Sequence, residues 1–190
     1  MKAAPGALRS TRECPFEALP QGKGEVRPPL AVAKRRNPAG AVATVRIGCR
    51  YAAAPPRVFD AWLDPQAAAG WLFATATHPL AAVAIDARPG GAFAFVDRDR
   101  GRVRTHAGRY LQIERPRVLS FTLVTNALPQ IVGRVTVHFT AHAGGCALAL
   151  AHTGVPPAVA DHVEGRWSGI LYGLGLFVDG APPTYFPPKE

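Results

Sequence analysis

The chain of 190 residues is poor in sulfur, with three cysteines and one methionine, Met1. Cys14, Cys49 and Cys146 are odd in number and far apart, so they fit neither a disulfide framework nor a zinc motif. A reducing, cytoplasmic setting is the expectation. No run of about 18 apolar residues occurs, and a membrane span is not expected. The longest candidate, Gly169–Val178, is short and contains three glycines. The N-terminus is basic but lacks an apolar signal core, which argues against secretion by that route. Acidic residues are also scarce: 13 against 22 Lys and Arg, for a net charge of +9. That surplus is uneven. Residues 1–40 hold eight basic and three acidic side chains, a net +5, and the remainder is only mildly basic. Nucleic-acid contact would therefore rest on the tail alone, and a solvated leader is the plainer reading. Also missing are a G-x-S-x-G elbow, a glycine-rich phosphate loop and paired histidines on one helical face. No metal and no cofactor is expected.

What is present has three parts. Residues 1–40 are rich in proline and glycine without periodicity and read as a disordered tail. Residues 180–190 read as a second, proline-rich tail. Between them, 41–179 carry an ordered pattern. In VRIGCRY, Val45, Ile47, Cys49 and Tyr51 alternate with polar or small residues, as in a half-buried strand. APPRVFDAWLD starts with prolines and places Val58, Phe59, Trp62 and Leu63 on one helical face. Asp64-Pro65 breaks that helix, and QAAAGWLF reads as a second short one. Strand-like runs follow at Ala82–Ala87, Ala92–Val96, Val103–Ile113, Val118–Thr125, Ile131–Ala141 and Cys146–His152. A helix from about Pro157 to Val178 closes the order. Strands clustered centrally with helices set apart predict an α+β domain, a curved antiparallel sheet wrapped around the last helix.

The last helix also carries an acid–histidine cluster: Asp161, His162 and Glu164. At about 100° per residue, Val159, Val163, Trp167, Ile170, Leu171, Leu174, Phe177 and Val178 form one apolar stripe. Asp161 and Tyr172 point to water, and His162 and Glu164 fall on opposite flanks. Helical neighbours are three or four residues apart, so this pair cannot share one ion. Gly165, Gly169, Gly173 and Gly175 suggest close packing, since each costs about 1 kcal/mol in a helix. His152 continues the inward face of Leu148 and Leu150. It reads either as a structural histidine pinning Thr153–Pro157 or as a polar anchor at a cavity mouth. His138 and His142 point outward. His106 shares parity with Tyr110, so a Tyr–His proton-transfer pair is conceivable. The arginine ladder Arg98, Arg100, Arg102 and Arg104 reads as a solvated hairpin.

In their order, these residues resemble the SRPBCC superfamily of START or helix-grip domains. The resemblance is to its branch of homologues of the activator of heat-shock-protein-ninety ATPase. The carrying motifs are Ala54-Pro55, Phe59 to Pro65 with its Asp64-Pro65 break, and Gly70-Trp71-Leu72-Phe73. They continue as Arg88-Pro89-Gly90-Gly91, Gly108-Arg109-Tyr110, Ile113 to Pro116, His152-Thr153-Gly154 and Gly165-Arg166-Trp167 with Leu171. The likeness spans about Ala41 to Val178. Where the branch often has a Trp-Trp or Trp-Phe pair, this chain has Trp71-Leu72. Where it often has Gly-Trp, this chain has Arg166-Trp167. The resemblance implies a cavity between sheet and helix that binds or transforms a hydrophobic small molecule.

The expected lining comes from Trp71, Phe93 and Phe95, then Tyr110 and Phe121, and from the end of the chain His152, Trp167 and Leu171. Aromatic rings offer apolar area, and Tyr and Trp add a polar handle; each could equally fill the core. Three functions follow: a binding domain for an apolar or aromatic metabolite, a cavity enzyme of the polyketide cyclase, dehydratase or hydrolase kind, and a co-chaperone-like interaction module. A cavity with Tyr110, His106 or His152 pointing inward favours the enzyme over the container. The interaction module predicts a large exposed apolar patch. The oligomeric state is not fixed by the sequence, and a dimer is compatible with it.

Overall fold

The computed structural model describes residues 42–74, 80–99, 102–126 and 132–187, without the side chains of Asp99, Arg102 and Val132. The basic tail 1–40, together with His78, Arg100 and Ile131, lies outside the described residues.

The described chain runs β1 (Ala43–Tyr51), α1 (Pro55–Asp60), α2 (Pro65–Ala69), β2 (Leu80–Ile85), β3 (Ala92–Asp99), β4 (Arg102–Glu114), β5 (Val118–Thr125), β6 (Val132–His142) and β7 (Gly145–Val155). A 3-10 turn (Pro157–Val159), α3 (Ala160–Asp179) and β8 (Thr184–Phe186) complete it. All strands join one antiparallel sheet in the order β2-β3-β4-β5-β6-β7-β1-β8. The sheet curves around α3, the helix-grip arrangement expected of the sequence.

Local chemistry explains the elements. Asp64-Pro65 stops α1 and also starts α2: the Asp64 carboxylate accepts from the Gln66 and Ala67 N–H groups, both at 2.8 Å. Pro65 occupies the first turn, where its missing N–H costs nothing. The Arg88-Pro89-Gly90-Gly91 run makes the β2–β3 turn, closed by Gly91 N–H donating to Arg88 C=O at 2.8 Å. In β7, Cys146, Leu148, Leu150 and His152 are buried and their neighbours are not, the period of two that a one-sided sheet requires. A register shift between Tyr110 and Gln112 marks a bulge, a device that sharpens twist.

Two expectations need amendment. The proline-rich tail is not wholly irregular, because Thr184–Phe186 pairs with β1 at the sheet edge. Gly48 makes room for it: a methyl there would come within 2.6 Å of the Phe186 ring. Arg50 then lies over that ring at 4.6 Å. On α3, Val163, Trp167, Leu171, Leu174 and Val178 are buried as expected, but Phe177 is 46% exposed. It sits about 80° from Trp167 around the axis, at the edge of the stripe.

Candidate functional site

The site lies under the first half of α3. Register places its floor: His106 on β4 faces Thr125 on β5, Leu123 faces Gly133 on β6, and Val135 faces His152 on β7. Val163, Arg166, Trp167 and Ile170 of α3 form the roof, and Phe73, just after α2, forms a side. Together with His106, Leu123, Thr125 and His152 they enclose a cavity of about 40 Å³. That holds a water or two, or one small functional group. It is far below the ~300–1,000 Å³ of a pocket that swallows a whole ligand.

His152 is fixed by its neighbours. The Trp167 indole N–H donates to its Nδ1 at 3.1 Å. Nδ1 is therefore an acceptor, and the neutral ring carries its proton on Nε2. No group among the described residues accepts that proton. The ring lies over Gly133, where a methyl would collide with Nε2 and stand 2.6 Å from Cδ2. The absent side chain of Gly133 thus creates the space His152 occupies. The expected pinning of Thr153–Pro157 by this histidine is not seen; its partner is Trp167.

His106 is 1% exposed and also has an unpaired Nε2. Its ring stacks on Phe73 at 4.2 Å with 7° between planes. Burial pushes His106 down to about 4, helped by the Arg166 and Arg104 guanidiniums. Burial alone pushes His152 down to about 4. Both are neutral at pH 7. Arg166 is held below the ordinary guanidinium value by burial and then by Arg104, while Asp97 acts the other way. Asp97 lies 3.3 Å from Arg104. Phe73 adopts φ 61°, a left-handed conformation that a bulky residue rarely accepts and that recurs at binding sites.

The eight side chains expected to line a ligand site divide into three groups. His152 and Trp167 line the cavity. Phe93, Phe95, Tyr110 and Phe121 are on the inner face but pack on one another, with ring centroids 5.3–5.8 Å apart around Phe93. Only about 10 Å³ of free space remains among them. Leu171 is wholly buried, and its carbonyl accepts from the Tyr51 hydroxyl at 3.1 Å. Trp71 is buried edge-on against Trp62, its indole N–H donating to Ala61 C=O at 3.2 Å, and it lines the groove outside the cavity. His106 and Tyr110 do face the same side, but they do not meet: His106 stacks on Phe73, while Tyr110 packs with Phe93 and Phe121.

Outside the cavity, a groove of about 750 Å³ runs along α3, past Gly165, Gly169 and Tyr172. It shares Phe73, Arg166 and Ile170 with the cavity. Methyl groups at Gly165 or Gly169 would touch nothing within 4 Å, so these two glycines do not serve close packing. Gly175 does, with Ala181 O and Pro183 Cδ each 2.7 Å from where its Cβ would be. Asp161, His162 and Glu164 are all exposed, and no group of three or more potential metal ligands occurs among the described residues. His138 is exposed, as expected, whereas His142 is half-buried with its Nδ1 2.8 Å from Ala143 C=O. Of the arginine ladder, Arg98 is exposed.

A curved sheet gripping a long C-terminal helix over an inward-facing cavity defines a helix-grip domain of the SRPBCC superfamily. Within it, residues 52–177 match the family described as Activator of Hsp90 ATPase homolog 1-like protein, and the chain belongs to that family. Solved structures agree. A Chromobacterium violaceum protein is 26% identical with a TM-score of 0.64, over 72% of this chain and 96% of that one. An AHSA1-like protein of Aeromonas hydrophila, 20% identical over 73% and 93%, has a TM-score of 0.63 and supports the fold alone. CalU16 of Micromonospora echinospora is 26% identical over 75% and 80%, with a TM-score of 0.57. No match to a curated protein was found.

Proposed function

We propose that this chain binds a small apolar or aromatic molecule, which inserts one polar group into the cavity beneath the first half of α3. One observation carries the reading: two buried imidazoles, His106 and His152, line a single chamber with Phe73, Leu123, Trp167 and Ile170, and the Nε2 of each is unpaired. An unpaired buried polar atom costs roughly 1–3 kcal/mol, which a ligand hydrogen bond recovers. His152 and Trp167 are direct contacts in this account, and Phe93, Phe95, Tyr110 and Phe121 are the packed wall behind them.

Inward histidines also meet the geometric condition for a cavity enzyme. Their chemistry favours binding, since a base held near 4 is a poor match to proton transfer at neutral pH. The interaction-module reading has less support. The large apolar side chains exposed on α3 are Tyr172, Leu176 and Phe177, a short cluster and not a broad face.

Native mass spectrometry of the protein purified from its source tests the proposal. The expected result is a co-purified small molecule that is lost in His152→Leu. No adduct, together with no thermal shift from a panel of apolar and aromatic compounds, would overturn it.

A further inference from the structure

We infer that the ligand is an organic acid, whose carboxylate enters the cavity against Arg166 while its apolar body lies in the groove along α3. This rests on the binding reading above and specifies its ligand class.

The donor set points to an anion. Arg166 lines the cavity and has no hydrogen bond or ion pair among the described residues. The nearby carboxylate, Asp97, is set against Arg104 instead. His152 lines the same cavity and carries its proton on Nε2, which rests against Gly133, because its Nδ1 is already taken by Trp167. A carboxylate accepts from the Arg166 guanidinium, and charge-assisted bonds of this kind are the strong ones. The low-dielectric surroundings increase their effect.

The dimensions separate head from body. About 40 Å³ accommodates a carboxylate and little more. The remainder of the molecule must leave past Phe73, Arg166 and Ile170, the three residues shared with the groove. There the missing side chains of Gly165 and Gly169 leave open space along the helix.

The test compares naphthalene-2-acetate with its neutral isostere, naphthalene-2-acetamide, by titration calorimetry on the full chain at pH 7 and low salt. The expected result is binding of both, with the acid at least ~10-fold tighter. Arg166→Gln should bring the acid to the level of the amide, and Arg166→Lys should keep part of the preference. Should Arg166→Gln fail to fold, added salt on the wild type serves instead: acid affinity falls and amide affinity does not. Equal binding of acid and amide, or a preference unmoved by Arg166→Gln or by salt, would overturn the acid assignment and leave the cavity standing. Binding of neither compound would overturn the cavity reading, and the acid assignment with it.

Discussion

Acidification from pH 7 to pH 5 should destabilise this fold through the two cavity histidines. Each is held near 4 in the folded protein against an ordinary 6.5. Above 6.5 both folded and unfolded chains keep these rings neutral, and the full stability is present. As pH falls below 6.5 the unfolded chain takes up two protons that the folded chain refuses, so stability drops until about pH 4. At ~1.4 kcal/mol per pH unit for each group, the loss is ~2 kcal/mol per histidine by pH 5, or ~4 kcal/mol together. A domain of this size has ~5–15 kcal/mol in all. Asp60, lowered by its hydrogen bonds from Arg115, loses its contribution only below the ordinary carboxylate range, so the window from 7 to 5 isolates the histidines. Urea denaturation at both pH values measures the difference. The His106→Leu/His152→Leu double variant should show a much flatter dependence, whatever its absolute stability. A wild-type loss under ~1 kcal/mol, or an equal loss in the double variant, would refute the assignment of two buried neutral imidazoles.

Other outcomes follow from single contacts. Gly133→Ala forces a methyl into the His152 ring; overpacking of this kind costs ~1–3 kcal/mol, and thermal melting should show the drop alongside loss of naphthalene-2-acetate binding. Trp167→Phe removes the indole donor and leaves His152 Nδ1 unpaired, a cost of ~1–3 kcal/mol in urea denaturation. Cys49 and Cys146 are wholly buried, and burial pushes both thiols up to about 11. In a Cys14→Ser background, a thiol reagent such as Ellman's should therefore find no fast-reacting cysteine until the protein unfolds; rapid native labelling of either would contradict this burial.

Much of the architecture was legible because it is written in local periodicity. The run Val118–Thr125 is the observed β5 without adjustment, since alternation and flanking turn residues bound it on both sides. The apolar stripe of α3 found the buried Val163, Trp167, Leu171, Leu174 and Val178 by 3.6-residue periodicity and erred at Phe177, on its edge. The inward direction of His152 followed from its parity with Leu148 and Leu150.

The site was less legible, because it is made by register between distant strands. Nothing local to Gly133 reveals that it lies beside a histidine 19 positions later; only the pairing of β6 with β7 brings them together. Parity placed Phe93, Phe95, Tyr110 and Phe121 on the inner face, but it could not distinguish a wall from a filled core. Their mutual packing decided that. Arg166 was visible only as the neighbour of Trp167, although a long cation about 80° from the centre of an apolar stripe is a signal that could have flagged it. Phe73 follows α2 in a left-handed conformation that no periodicity indicates, and β8 was hidden because three strand residues sit between proline pairs.

The central claim, that a ligand's polar group meets His106 and His152 inside the grip, is tested most directly by NMR of the protein labelled with nitrogen-15 in its histidine rings. Titration with naphthalene-2-acetate should shift the Nε2 resonances of His106 and His152, with the Nδ1 of His152 remaining bonded to Trp167. Unmoved Nε2 resonances at saturating naphthalene-2-acetate would contradict it.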